Sequence, residues 1–489
     1  MRTEKDSMGE MSVPENALWG ASTQRAVLNF PISGRPMPAA FLRGLGLVKL
    51  AAAQANGTLG RLGPEKSRVV QQAAREITDG RHGAQFPVDV FQTGSGTSTN
   101  TNINEVIARL VTLAGGPAVH PNDDVNLGQS SNDVIPTALH VSVALALHRE
   151  LMPALATLTA ALQGKSVEFA EVVKLGRTHL MDATPLTLGQ EFSGYAAQVG
   201  KASERVRHGV AVLGELAVGG TAVGTGLNTH PDFAAEVCRI LSRETGIAFR
   251  EARNHFEAQA GRDDCVEVAG ILTAVAASLT KIANDLRLLG SGPRAGFAEL
   301  RLPAIQPGSS IMPGKTNPVL CEMLVQVGLY VQGLAQVVMA CGREGQLQLN
   351  ATLPLIAHCL HEAIGCLANA AKVFAGKCVV DIEADAARCR DNTERSLALI
   401  TALTPRIGYD VAASVAREAW SSGKSLREVV LARGLMNATE LERALDPWAM
   451  TLSDAAKGGV SGGGADLVEK KQTQNRVRQK TIKAIGRRR

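Results

Sequence analysis

Residues 319–341, VLCEMLVQVGLYVQGLAQVVMAC, run for 23 positions with one charge, Glu322. A stretch this apolar is either a membrane span or a helix that protein covers on several sides. Glu322, Gln326, Gln332, Gly333 and Gln336 recur at steps of three to six and mark one helical face, which favours a helix in a bundle. Similar weakly charged, helically periodic segments occupy 134–163, 189–217 and 263–290. Aromatic residues make up only 3% of the chain and apolar residues 45%, so Ala, Leu and Val must fill the core. Such a core suits helix packed on helix better than a β-sandwich, whose strands prefer β-branched and aromatic residues. The expected fold class is all-α. A first section to residue 133 mixes loops and shorter helical patterns such as 41–56, a long central helix bundle spans 134–387, and a small helical section follows at 388–453.

The eight cysteines are scattered without a CxxC pair, which reads as reduced thiols serving as small core residues of a cytoplasmic protein. The opening MRTEKDSMGEMSVPENALWG has no apolar run and does not read as a targeting segment. The formal net charge of +5 hides an asymmetry: 469–489 carries nine Lys or Arg against one acid, leaving 1–468 at a net −3. With the Gly-rich stretch at 457–467 before it, 454–489 reads as a linker and a basic tail. Such a tail is either a solubilising appendage or a weak site for an acidic partner.

Four polar clusters sit where helical segments begin: the opening stretch, QTGSGTSTNTNINE (92–105), HPNDDVNLGQSSND (120–133) and GRTHLMDATP (176–185). Ser, Thr and Asn in such places are ordinary helix caps. Several dense clusters beside helix N-termini also offer the hydroxyls, amides and backbone N–H groups of an anion pocket. A fifth polar segment, PGSSIMPGKTNPV (307–319), carries two serines and a lysine on a loop shaped by Pro and Gly.

Several apparent motifs fail on spacing. In GSSIMPGKT five residues separate Gly308 from Gly314, one more than a phosphate-binding P-loop allows. GSGTST (94–99) lacks the third glycine of a dinucleotide fingerprint, and HCLHE (358–362) fits no zinc-hydrolase pattern. No GxSxG elbow surrounds Ser309 or Ser310, so acyl transfer is not indicated. Two acid–base candidates remain. His179 follows a hydroxyl in GRTHL, and Glu322 is the lone charge of its helix; pairing would satisfy the carboxylate and fix the imidazole tautomer. A serine alkoxide stabilised by Lys315 and loop N–H groups could serve as a base, and the same donors would hold a carboxylate. The residues themselves point to a small polyanionic substrate and to proton abstraction beside a carboxylate.

The clusters, in this order along the chain, resemble the fumarase/aspartase superfamily, with GSSIMPGKTNP as its signature loop and GGTAVGTGLNTHP (219–231) as a further match. The resemblance implies a three-domain all-α fold and a homotetramer with a twenty-helix core. It also implies active sites built from three subunits and catalysis without metal or organic cofactor. Position by position, it makes Ser309 the base that removes the C3 proton of L-malate, and His179 with Glu322 the group that protonates the departing C2 hydroxyl. Ser95, Gly96, Thr97, Ser130, Ser131, Asn132, Thr178, Ser310, Lys315, Thr316 and Asn317 would bind the dicarboxylate. His120, Pro121, Asn122 and Asp123 would form a secondary anion site. The implied reaction is an anti elimination through an aci-carboxylate.

Within the superfamily His179, Gly314, QSSND and NTHP follow the class II fumarase form. The runner-up is aspartate ammonia-lyase, which GQLQLN (345–350) and KSLREVVLARGLM (424–436) resemble more. Thr316 stands where both branches carry an aliphatic residue, and Gly128 replaces a usual Ser. A catalytically silent binding protein would be expected to have lost Ser309, His179, Lys315 or Glu322, and all four are present.

Overall fold

The computed structural model describes residues 1–452, so the basic tail expected at 454–489 lies outside the described residues. The described residues are mainly helical, and their strands are short and pair only two by two. It divides into two compact units: one of Met1–Gly164, Gly194–Gly290 and Leu302–Ile382, the other of Lys165–Ser193, Ser291–Arg301 and Glu383 onward.

In the first unit the long apolar segments are helices, as their periodicity predicts. Ala39–Thr58 packs against Pro64–Thr78 and Ser131–Ala146. Asp263–Leu289, Val319–Gly342 and Leu353–Lys377 lie side by side. The core they enclose is mostly Ala, Leu, Val and Ile, with few rings. His361, from HCLHE, is buried in the 353–377 helix, where its Nε2 meets the Ser142 hydroxyl at 2.9 Å. Burial pulls its imidazole down to about 4, as suits a neutral core histidine. Seven of the eight free cysteines are buried and Cys366 is half-buried.

The 319–342 helix departs from the expectation of cover on several sides. Leu329, Tyr330, Val337 and Met339 are exposed, Leu329 by 62%. Among the described residues four helical stretches are long and apolar enough to cross a membrane by length and composition. Packing within one copy of the chain therefore does not bury all the apolar surface that the sequence provides.

The second unit has its own small core of Leu399, Leu403, Val415, Ala419, Leu426, Val429, Val430, Leu441 and Leu445. Those side chains come from Leu397–Leu403, from the helices Tyr409–Ser422, Leu426–Ala432 and Ala438–Ala444, and from Leu445, which caps the last of these. Ser425 and Glu428 form a reciprocal capping box at the start of 426–432, a signature legible in SLRE. The antiparallel strands Val173–Thr178 and Met181–Thr187 form a hairpin in this unit. GRTHLMDATP is thus a hairpin tip and not a helix cap, and the next helix begins at Leu188.

Candidate active site

Two helix N-termini converge in the first unit. Gly96, in the left-handed conformation, ends the turn before Thr97–Leu113, and Ser130 caps Ser131–Ala146. Their hydroxyls form a chain: Ser95 Oγ lies 2.8 Å from Thr97 Oγ1, which lies 2.7 Å from Ser131 Oγ. The first N–H groups of both helices and their aligned dipoles favour an anion at this junction. Ser95, Gly96, Thr97, Ser130, Ser131 and Asn132 are brought together here, as the sequence reading expects.

Buried polar side chains hold the junction in place. Asp133, fully buried, accepts hydrogen bonds from the N–H groups of Ser130 (2.9 Å), Gly219 and Thr221 (3.0 Å each). Burial pushes its carboxyl up to about 6 despite those bonds. Asn132 donates to Ala222 O (2.9 Å), so the GGTAVG loop is tied to the start of the 131–146 helix. On the other side, a Cβ on Gly94 would stand 1.8 Å from Ala351 O, and Leu353 N donates to Gly94 O (3.0 Å). Only glycine allows the 94–97 turn to rest on the segment just after GQLQLN. Gly128, unusual in the sequence comparison, has φ +69, a region glycine adopts without steric cost.

The loop 307–318 closes on itself. Gly308 N donates to Lys315 O (2.8 Å) and Asn317 Nδ2 to Gly308 O (2.8 Å). Ser309 Oγ accepts from the N–H groups of Ile311 (3.2 Å) and Met312 (3.0 Å). These donors favour negative charge on that oxygen, which is what a serine base requires. Ser310, Lys315 and Thr316 are exposed. Asn317, expected as a carboxylate ligand beside Lys315, has its amide engaged in closing the loop. The loop leads directly into the 319–342 helix, with Glu322 in its first turn. Glu322 is half-buried, and its side chain makes no hydrogen bond or ion pair among the described residues.

In the second unit, His179 and Leu180 form the two-residue tip of the hairpin, with Thr178 facing Met181. Both tip residues have positive φ, 55° and 63°, the type I′ geometry that ordinarily selects Asn-Gly. The His179 imidazole is exposed on this tip. The strand leading to it is anchored at Glu299, which is fully buried. Glu299 accepts from Arg177 at 2.7 and 3.0 Å and from Asn392 at 3.1 Å, with the Lys174 ammonium 3.3 Å away. Burial alone would raise the Glu299 carboxyl, but Arg177 and Lys174 hold it below the usual carboxylate range. The Arg177 guanidinium also stacks 4.2 Å from the centre of the Phe297 ring. Across the hairpin, Asp182 accepts from Ser396 Oγ at 3.0 Å.

His120–Asp123 opens a single π-turn, Pro121–Val125. His120 Nδ1 accepts from Asp123 N (3.1 Å), His120 N donates to Asp124 (2.8 Å), and Lys66 pairs with Asp124 at 2.8 Å. Pro121 and Asn122 complete this exposed cap. Among the described residues no group of His, Cys, Asp and Glu side chains is arranged to hold a metal ion.

The sequence reading missed Lys49, Asn126, Gln129, Asp133, Arg177 and Glu299. Lys49 was within reach of it: a cation in the otherwise apolar run LGLVKLAAA poses the question that Glu322 poses in its helix.

The all-α chain is similar to lyases of the fumarase/aspartase type. The lyase family profile matches residues 9–333, and the fumarase C C-terminal profile matches 399–452. The chain is 50% identical over 458 residues to the class II fumarate hydratase of Mycobacterium tuberculosis, covering 93% of this chain and 96% of that one. It is 51% identical over 455 residues to the Corynebacterium glutamicum class II fumarate hydratase, covering 92% and 96%. A crystal structure of the class II fumarase from Schistosoma mansoni superposes with a TM-score of 0.90 at 39% identity, covering 92% of this chain and 99% of that one. The fumarate lyase:delta crystallin structure from Brucella melitensis gives 0.89 at 44%, covering 92% and 100%. The chain belongs to the class II fumarate hydratase family, whose members are hydro-lyases.

Proposed function

We propose that this chain adds water to fumarate to give L-malate, and reverses the reaction, in the citric acid cycle. The observation that carries the reading is the pair of helix N-termini joined through Thr97 and Ser131, whose hydroxyls and N–H groups suit an anion, in a chain of this family. One substrate carboxylate sits against Ser95, Gly96, Thr97, Ser130, Ser131 and Asn132. The donors of Thr178, Ser310, Lys315, Thr316 and Asn317 complete the clamp. Asn317 keeps a second amide N–H beyond the one that bonds Gly308 O, and this donor is available to the substrate. Ser309 takes the C3 proton, its alkoxide held by the Ile311 and Met312 N–H groups. His179, oriented by Glu322, gives a proton to the leaving C2 hydroxyl. No step calls for a metal or an organic cofactor.

The exposed apolar face of the 319–342 helix supports a homotetramer in which such helices cover one another in a twenty-helix core and three copies contribute to each site. Glu322 then finds its partner across copies. The further assignments belong to the same proposal: domains at 1–133, 134–387 and 388–453, a secondary anion site at His120–Asp123, and a cytoplasmic location.

The test is fumarate appearance by ultraviolet absorbance with L-malate and L-aspartate side by side, in the presence of a chelator. Turnover of malate alone is expected. Turnover of aspartate would move the chain to the ammonia-lyase branch, which GQLQLN and KSLREVVLARGLM resemble more.

A further inference from the structure

Lys49 is fully buried in the 39–58 helix and takes no part in the chemistry described so far. Its ammonium donates to Asn126 Oδ1 (2.9 Å) and Gln129 Oε1 (3.0 Å). An ammonium only donates, so it obliges both amides to present oxygen toward it. With Asn126 turned this way, its Oδ1 also accepts from Asn100 Nδ2 (3.1 Å) and Asn104 Nδ2 (3.3 Å), one helical turn apart on the helix that begins at Thr97. Its Nδ2 is left to donate to Gln129 O (3.1 Å). Gln129, likewise oriented, donates to Val125 O (3.1 Å) and Leu127 O (3.2 Å) and immediately precedes the cap residue Ser130. One buried cation thus ties together the two turns that carry Thr97 and Ser131.

Burying an ammonium is expensive, and a Met of similar length would fill the same space without that penalty. What a Met cannot do is orient two amides. Burial pulls the Lys49 ammonium down to about 7, opposed by the charge of Asp133. Asp133 is itself occupied by three backbone N–H groups, so it does not form a direct ion pair with Lys49.

We propose that Lys49 is a positioning residue for the dicarboxylate: through Asn126 and Gln129 it sets the spacing of the Thr97 and Ser131 hydroxyls. The proposal rests on the reading of 95–97 and 130–132 as a carboxylate site. The experiment uses the full-length enzyme and succinate, a four-carbon dicarboxylate with no hydroxyl to eliminate, as the binding probe. In Lys49→Met, with the fold checked by circular dichroism, succinate should bind about tenfold or more weakly, since hydrogen bonds to a charged group are worth that much. KM for L-malate should rise by more than kcat falls. A role in stability alone would lower the melting temperature and leave KM and the succinate affinity unmoved, and that result overturns the proposal. If Lys49→Met does not fold, Gln129→Met decides. It leaves the Lys49–Asn126 bond in place and should weaken succinate about threefold to tenfold; unchanged affinity overturns the proposal there too. Thr97→Val separates the two levels of the argument. If it leaves succinate binding intact, the carboxylate site itself is misplaced. If it weakens binding while folded Lys49→Met does not, the site stands and the role of Lys49 falls.

Discussion

Glu299 is the buried anchor of the hairpin that displays His179, and replacing it tests that arrangement. Glu299→Ala removes the acceptor of both Arg177 bonds, the Asn392 bond and the contact with Lys174. Lys174 keeps Glu191 at 2.9 Å, but Arg177 retains only the Phe297 ring and a long 3.4 Å contact to Leu175 O. Breaking a buried pair from one side costs about 3–5 kcal/mol, because the surviving charge stays buried without compensation. With a urea slope of about 3 kcal/mol per molar, the unfolding midpoint should fall by about 1 M or more. Tryptophan fluorescence is a suitable reporter, since Trp420 and Trp448, two of the three tryptophans, lie in the same unit as Glu299.

The pH dependence has a definite sign. The folded-state pKa of Glu299 is depressed, so its contribution is complete above the ordinary glutamate value of 4.5 and is lost as pH falls through the lower folded value. The midpoint gap between wild type and Glu299→Gln should therefore stay constant from pH 7 to about 5 and narrow in stronger acid. Turnover should fall along with stability, since a 1 Å displacement of a catalytic group can cost about 10²-fold. A Glu299→Ala midpoint equal to that of wild type, or a gap that widens in acid, would refute the account of the anchor.

Ser309→Ala should abolish malate turnover while succinate still binds, because the hydroxyl and not the loop is removed; near-normal kcat would take the base assignment away from Ser309. His179→Asn is the substitution that best preserves the tip, since Asn tolerates the left-handed conformation found at φ 55°. Turnover should drop by about 10² to 10⁴, the usual share of general acid–base catalysis. A wild-type pH–rate profile in that variant would make His179 structural.

The bundle was legible because helices of this length and apolarity have few alternatives, and the 319–342 and 263–289 helices lie where their periodicity places them. Ser95 to Thr97 and Ser130 to Asn132 stand out in the sequence because cap chemistry and anion chemistry use the same side chains. GRTHLMDATP was misread locally. Its Thr and Asp look like cap residues, yet the pairing of Arg177 with Asp182 across a two-residue turn makes it a hairpin. Nothing within the ten residues reveals Glu299, more than a hundred positions away, as the group that holds it. Asn317 reads as a free ligand beside Lys315, but the loop's own closure engages its amide.

Composition and period by themselves determined the all-α class and the long helices, and the Ser, Thr and Asn clusters marked where helices begin. Tertiary structure decided which of those hydroxyls touch, which way the Asn126 and Gln129 amides face, and that His179 stands on a strained tip. The division has a physical cause. Helix formation and capping are settled by neighbours a turn away, whereas buried charges such as Lys49, Asp133 and Glu299 take their partners from segments that only folding brings together.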